Sequence, residues 1–485
     1  MKASRTRVRV CFLAVASLMV LATLTRAGFS WAHGSQLGHV AGAWTTLAID
    51  LSRGLFYRPL YSEGIGYGGT RYLPLYFALH AVVIRLIGHP IAAGFVVSFL
   101  STALLLVGVF TLLRRSGLGF DLAAGFSALV LTSWSVQHGL TTIRGDILPT
   151  ALTVWGLAMC VGEPARRKAG TAAALFALAF SAKITALHGL AAAVLWMTAN
   201  GRAKAAVRLA ALGAASCLVV LGVVHVTSDG RFLEILRVCA AGGAGASDMI
   251  RAPLRLFLHL RNSDPAGLVF CCLAVATMLA RGTWRAPDLP TAFFGVTLAM
   301  TLVMFGSPGV EANHLVYLHV ASIFAVASFF AESREHPAWD FQLAAATAAG
   351  MAGLALVVSM LAWSDVPVNR AAEMEEAARA ARGPAGPILS EDPLVPVVAG
   401  QDPYLMDSFM FRVIRERRPT VAEPLFAAVR KRAFSAVVLA HDPALEAEGV
   451  YRSKHFGAGF VEEVQKSYVL SAKIGDFFVY LPRRD

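Results

Sequence analysis

Runs of apolar residues close to the about 20 needed to cross a hydrocarbon core recur along this chain, separated by short basic turns. They lie near 10–27, 91–113, 120–137, 147–162, 169–182, 184–199, 206–226, 265–280, 289–306, 314–331 and 341–363. This pattern predicts a mainly α fold, a polytopic membrane helix bundle of about eleven transmembrane helices. Composition closes off the soluble alternatives. With 56 % hydrophobic and 15 % charged residues and a mean hydropathy of +0.60, the sequence lacks the polar surface that a soluble protein needs. Secreted disulfide scaffolds, disordered chains and nucleic-acid binders fit it badly. The net charge of +12 is carried largely between the apolar runs, where it sets orientation. Of the 6 cysteines, Cys11, Cys160, Cys217, Cys239, Cys271 and Cys272, most lie inside apolar runs without metal-ligand spacing, and they read as packing residues.

The first run follows Lys2, Arg5, Arg7 and Arg9 and has the look of a signal peptide, but Ala27-Gly28 is a poor cleavage site. It is expected to stay as an anchor. The stretch Tyr72 to Gly88 is apolar but short, and it contains His80 and Arg85. If it lies in the interface over 73–87 instead of crossing, the clusters Arg114-Arg115, Arg166-Arg167-Lys168, Arg202 with Lys204 and Arg208, Arg281 with Arg285, and Arg334 all fall on the N-terminal side. The positive-inside rule is then obeyed at every turn. The same parity places a first loop (28–90), the turns at 138–146, Lys183 and 306–313, the segment 227–264 and the tail on the outer face of the plasma (inner) membrane.

The chain divides at this point into a membrane domain, 1–363, and an extracytoplasmic tail, 364–485. The tail opens with a charged helical segment from Arg370 to Arg382 and continues through strand-like PILS, FSAVVLA, YVLSAK and FFVYLP segments. The last two are joined across Ile474-Gly475-Asp476, and the whole reads as a small α/β domain.

Ionisable residues beside membrane spans are costly to keep, so those at the outer turns are the functional candidates. Asp50, in AIDLSRGLFYRPLY, either accepts a proton from an acceptor hydroxyl or pairs with Arg53 or Arg58. The glycine-rich GIGYGGTRY leads into Arg71 and Tyr72 without the lysine of a phosphate-binding loop. The turn HGLTTIRGDILP sets His138, Arg144 and Asp146 at one mouth, where Arg144 either pairs with Asp146 or grips an anionic head group. Lys183 has no acidic neighbour in sequence, and it either snorkels to water or joins Arg71 and Arg144 around a phosphate. Arg231, Arg237, Arg251, Arg255 and Arg261 mark an amphipathic stretch over anionic lipid. Glu311, Asn313 and His314 form a polar wall, and His319 reads as a packing histidine.

Taken in order, the first-loop aspartate, the RYLPLYFALHAVVIRLIG segment, the R-x-D turn at Arg144 and Asp146, the AKIT at Lys183, the G-x-x-x-N turn from Gly309 to Asn313 and the tail ILSEDPLVPVVAGQDPYLMDSFMFRVI resemble the GT-C superfamily of membrane glycosyltransferases. The nearest flavour is the bacterial group of protein mannosyltransferases and lipid A aminoarabinose transferases. The resemblance implies transfer of a sugar from a polyprenyl-phosphate donor to a hydroxyl of an envelope glycan, lipid or protein at the outer face. It also implies that Asp50 is the base and that Arg71, Arg144 and Lys183 bind the donor phosphate. Tyr72, His138, Asp146, Glu311, Asn313 and His314, polar or aromatic residues at the same outer turns, are the expected substrate contacts. Two positions depart from the pattern: Leu51 follows Asp50 where protein mannosyltransferases carry an acidic pair, and RYLPL replaces their His-Pro-Pro-Leu. No cofactor is required by such chemistry, no metal ligands are assigned, and a divalent cation is compatible with it but unsupported by any motif. Membrane lipids are the other expected partners, and nucleic acid is not one. A transporter or flippase of a lipid-linked or anionic substrate is the alternative, and it predicts charged residues in mid-span and internal pseudo-symmetry.

The parity is testable directly. In a cysteine-free background, a cysteine introduced at Ser471 should react with a membrane-impermeant thiol reagent added outside, and one at Ser116, beside Arg115, should not. The opposite labelling would invert the topology.

Overall fold

The computed structural model describes residues 2–162, 166–239, 245–307, 309–332, 369–383 and 386–484. Apolar helices occupy the expected positions within that range. Four have the length and hydropathy of full spans: Phe12–His33, Pro90–Arg115, Ala203–Thr227 and Ala312–Ala331. Six further positions carry shorter ones, Phe120–Thr132, Ile147–Cys160, Lys168–Ala182, His188–Ala199, Pro265–Arg281 and Leu289–Phe305. The expected span at 341–363 lies outside the described residues.

The membrane part runs α1 (Lys2–His33), α2 (His39–Ser52), α3 (Leu75–Ile87), α4 (Pro90–Arg115), α5 (Phe120–Leu129), α6 (Trp134–Thr141), α7 (Ile147–Cys160), α8 (Arg166–Ala182), α9 (His188–Ala199) and α10 (Ala203–Thr227). It continues with α11 (Arg231–Cys239), α12 (Ala246–Ser263), α13 (Pro265–Arg281), α14 (Leu289–Phe305) and α15 (Val316–Glu332). A helix the length of α7, 14 residues, rises only about 21 Å, short of the about 30 Å hydrocarbon layer. Its ends are tolerated because it is enclosed by α4, α8 and α9, so protein rather than lipid meets its polar termini. Small residues permit that closeness: a Cβ on Gly156 of α7 or Gly189 of α9 would fall within 2.5 and 2.8 Å of the Phe176 ring of α8. Cys160, Cys217, Cys239 and Cys271 are buried as packing residues, while Cys272 is exposed.

Two expected loops contain helices instead. α1 continues to His33, and α2 fills the first part of the outer loop. α3 packs on α2 and α4 and leaves Leu79, Val82 and Leu86 exposed along one side, an apolar stripe on the segment expected to lie in the interface. In 227–264 the amphipathic stretch is two helices, α11 and α12.

The tail carries the four strand segments read from sequence. Strands β1 (Ile388–Ser390), β2 (Ala436–Leu439), β3 (Tyr468–Ile474) and β4 (Phe477–Pro482) form one sheet in the order β1-β2-β4-β3. β1 and β2 are parallel, and the other pairs are antiparallel. Gly475, with φ +54°, supplies the left-handed residue of the β3–β4 turn. The helix Arg370–Ala381 packs against β4, β2 and β3.

The segment between α2 and α3 is stitched to the tail by backbone. Tyr67 N donates to Tyr404 O at 2.8 Å and Met406 N donates to Tyr67 O at 3.2 Å. The buried Tyr67 hydroxyl donates to Val421 O at 2.9 Å. Gly66 makes the approach possible: its φ is +86°, and a Cβ there would sit 2.0 Å from Tyr404 O. Gly66→Ala should therefore destabilise the protein by at least about 2 kcal/mol. The expected readouts are a lowered melting temperature in detergent and faster tryptic cleavage of the tail, and an unchanged melting temperature would refute this account of the junction.

Candidate functional site

Asp146 is the organising residue of a polar cluster at the α6–α7 turn. It follows the R-G pair of the α6–α7 turn and stands at the N-terminus of α7, where the helix dipole favours a negative charge. Its Oδ1 accepts from Lys183 Nζ at 2.7 Å and from Asn313 Nδ2 at 3.0 Å. Its Oδ2 lies 3.3 Å from Arg144 Nε. Three segments far apart in sequence thus meet on one carboxylate. Burial opposes its ionisation, but Lys183 and Arg144 outweigh that and hold the carboxyl below the usual carboxylate range.

The turn is shaped by what Gly145 lacks. A Cβ there would stand 2.6 Å from the Trp44 ring of α2. Trp44 in turn stacks on Tyr72 with ring centroids 4.0 Å apart, which brings the Arg71–Tyr72 segment to the same cluster. Behind it, Tyr76 Oη and Ser98 Oγ are 2.9 Å apart, and Ser98 Oγ donates to Thr142 O at 2.8 Å, pinning the start of the turn.

Arg144 Nη1 donates to His138 Nε2 at 3.1 Å, so His138 is an acceptor there and its Nδ1–H donates to Gln36 Oε1 at 3.0 Å. That network assigns a neutral ring. Burial and the Arg144 charge agree with it, pushing His138 down to about 3. Arg144 Nε is buried without a well-directed acceptor. Arg71 is exposed and makes no ion pair among the described residues, yet its charge reaches Tyr72, Asp407 and His314. Lys183 and Arg144 on one carboxylate, with the Arg71 charge and the buried Asp407 close by, leave a net positive cluster with an undirected donor at Arg144 Nε, the attributes of an anion site.

The structure thus brings together Arg71, Tyr72, His138, Arg144, Asp146, Lys183, Asn313 and His314. Glu311 is exposed, and its carboxylate makes no ion pair among the described residues. His319 is buried among packing partners, its Nε2 3.3 Å from Thr132 Oγ1.

Asp50 stands apart. Arg58 meets both of its oxygens, Nε on Oδ2 at 2.6 Å and Nη2 on Oδ1 at 2.8 Å, while Arg58 Nη1 donates to Pro403 O at 2.6 Å. It lines a cleft of about 550 Å³ with Arg53, Asp402 and Tyr404, and Arg53 pairs with Asp402. Burial raises the Asp50 pKa despite Arg58. The opposite end of α2 serves the cation cluster: His39, eleven positions and about 16 Å away along the axis, feels the Arg144 charge.

Sequence reasoning passed over His39 and Asp407. Asp407 is buried, and its Oδ1 accepts from Phe409 N at 2.9 Å and Met410 N at 3.0 Å, capping the helix Ser408–Arg417. Burial raises its pKa, and Arg71 and His455 are among the charges that act on it. A cap at the head of an amphipathic helix was the available signal for its structural part, but its proximity to Arg71 depends on folding. The tail also gathers Glu391, His441 and His455, whose ligand-type atoms lie within 4.8 Å of one another.

No protein-family model matches the chain, and no curated protein matches it in sequence. Solved structures do match. ArnT from Cupriavidus metallidurans in the apo state superposes with a TM-score of 0.62 at 15 % identity, over 96 % of this chain and 98 % of that one. The same protein bound to undecaprenyl phosphate gives 0.60 at 14 % identity, over 95 % and 97 %. The Archaeoglobus fulgidus oligosaccharyltransferase in the apo form gives 0.58 at 12 % identity, over 98 % of this chain and 74 % of that one. The chain therefore shares the fold of these proteins over 95–98 % of its length.

Removing the central carboxylate would leave two largely buried cations unpaired, and Asp146→Ala should cost about 3–5 kcal/mol. Because the native pKa is depressed, the ionised group stabilises fully above about pH 5, and this contribution is lost as pH falls through its lowered native value. Melting curves of Asp146→Asn and wild type should accordingly lie well apart at pH 7 and begin to converge below about pH 4. A gap independent of pH would show that the charge is not what stabilises.

Proposed function

We propose that this chain is a membrane glycosyltransferase that moves a sugar from a polyprenyl-phosphate donor to an acceptor hydroxyl at the outer face of the membrane. One observation carries the reading: Lys183 and Arg144 share the Asp146 carboxylate while the Arg71 charge reaches the same mouth, so three cations face two buried carboxylates, Asp146 and Asp407. The fold likeness to ArnT bound to undecaprenyl phosphate supports a lipid phosphate as the missing anion. On this reading the tail, 364–485, works as an extracytoplasmic domain over the mouth of the membrane domain, 1–363. Tyr72, His138, Asn313 and His314 line the sugar and phosphate path.

The chemistry asks little beyond this. The acceptor oxygen attacks the anomeric carbon, the bond from that carbon to the phosphate oxygen breaks, and the phosphate leaves with the electron pair. Cations already in place stabilise the charge it gains without reorganising. The acceptor proton passes to a carboxylate. Asp50, the residue the sequence resemblance nominates, acts in this role only once Arg58 releases it. Asp407 shares the neighbourhood of Arg71 and Tyr72 and needs no such release.

Transport of an intact substrate calls for charge in mid-membrane, and the interiors of α4 and α14 carry none. The test uses full-length protein in nanodiscs with a synthetic polyprenyl-phosphate sugar and a panel of acceptors. A new glycosidic bond formed without any membrane gradient is the expected result, and gradient-driven movement of unaltered substrate would replace this reading with transport. Lys183→Met should slow transfer by about 3–4 kcal/mol of transition-state stabilisation, while Arg144→Lys should recover only part of the Arg144→Met loss. Asn keeps the helix cap at position 407, so Asp407→Asn should fold and lose at least about a hundredfold in turnover. Loss confined to Asp50→Asn would return the base to Asp50.

A further inference from the structure

The Glu391 cluster plays no part in the reaction outlined above. Glu391 follows β1 and is 1 % exposed, so its carboxylate must be met by donors within the protein. Oε2 is held by the Tyr451 hydroxyl at 2.7 Å and by Ala440 N at 2.7 Å. Oε1 is approached by two imidazoles through the same ring atom, His441 Nδ1 at 2.8 Å and His455 Nδ1 at 2.5 Å. A third imidazole, His39 of α2, faces His455 with ring centroids 4.7 Å apart. Among the described residues its ring makes no hydrogen bond.

Two ring nitrogens aimed at one carboxylate oxygen form a convergent donor set. Tyr451 and Ala440 N fix the carboxylate through its other oxygen, as outer hydrogen-bond donors do for a metal-ligating carboxylate. Two histidines with one glutamate, plus a further position, is a ligand set that zinc accepts. Magnesium and calcium prefer oxygen alone, so imidazoles point away from them. The His441 side chain is 39 % exposed, which gives an ion a route in from solvent.

We propose that Glu391, His441 and His455 bind a divalent transition-metal ion, zinc by its ligand chemistry, with the remaining position open to solvent. The ion would clamp the residue after β1 to the segment that follows β2. Because the His455 ring packs on His39 of α2, filling the site would also steady the contact between the tail and α2.

The experiment uses tag-free, full-length protein in detergent, since a polyhistidine tag would itself bind zinc. After chelation and gel filtration, the protein is titrated with zinc and its metal content measured. Wild type should retain about one zinc per chain and melt at a higher temperature with zinc than without. Glu391→Gln and His441→Ala should each weaken zinc binding at least about tenfold and lose the thermal response. His441 is partly exposed, so His441→Ala guards against misfolding as the explanation, with circular dichroism as the check. Failure of wild type to retain zinc, or equal retention by both variants, would overturn the site. His39→Ala removes only the ring packed on His455, and a loss of zinc binding there as large as in Glu391→Gln would overturn the three-residue ligand set.

Discussion

The cluster at the α6–α7 turn depends on a buried carboxylate, Asp146, that holds two cations at once. Asp146 draws Lys183 from the α8–α9 turn, Arg144 from its own turn and Asn313 from the segment before α15. In water such contacts are worth little, but here the side chains are mostly withdrawn from solvent, and each cation left alone would be costly. The arrangement therefore pins at their ends helices whose sides already pack in one core. Lys183 and Arg144 are pre-positioned, so an incoming anion meets donors that need no reordering. Arg71 is exposed at the rim and makes no ion pair among the described residues.

The tail is part of the same construction. Contacts from Arg58 to Pro403 O and from Tyr67 to Tyr404, Met406 and Val421 bind the loop between α2 and α3 to a segment more than 300 residues later. Pro393 packs where a Cβ on Gly42 would stand, 2.7 Å from its ring, so α2 lies directly against the tail. Asp50 takes its surroundings from this junction: its partner Arg58 is also tied to Pro403, and Asp402 sits across the cleft. Both oxygens of Asp50 serve that joint, which makes it a strut between loop and tail in this conformation.

Much of this was legible in the sequence, and what was not has a physical reason. Apolar periodicity locates helices because burial in lipid or against neighbours imposes it over many residues, and the four strands stand out because turn residues bracket short β-branched runs. Arg144, Asp146, Lys183 and Asn313 are legible for a related reason: each is a polar residue where an apolar run stops, and parity assigns them all to one face. Their pairing is a different matter, since Asp146 and Asn313 are 167 positions apart. For Asp50, the sequence offered Arg58 eight residues away as a partner and a proton-accepting role as an alternative, and only the fold discloses the bidentate grip. His39, Asp407 and Glu391 were passed over because their significance lies wholly in long-range neighbours.

The length of α2 ties these observations together. His39 at one end adjoins His455 and feels Arg144, whereas Asp50 at the other end is locked to Arg58. Trp44, between them, fills the space left by Gly145 and stacks on Tyr72. The helix is thus a rigid spacer that carries three different contacts to three parts of the protein, and its rise of 1.5 Å per residue keeps its ends about 16 Å apart. Gly145, the neighbour of Arg144, packs on Trp44 in the middle of α2, so the cation cluster faces the helix between its two ends. A shift of α2 would therefore disturb the Tyr72 stack and the Arg58 grip on Asp50 at once. The tail meets the same region, because the Arg71 charge acts on Asp407, the cap of the helix Ser408–Arg417.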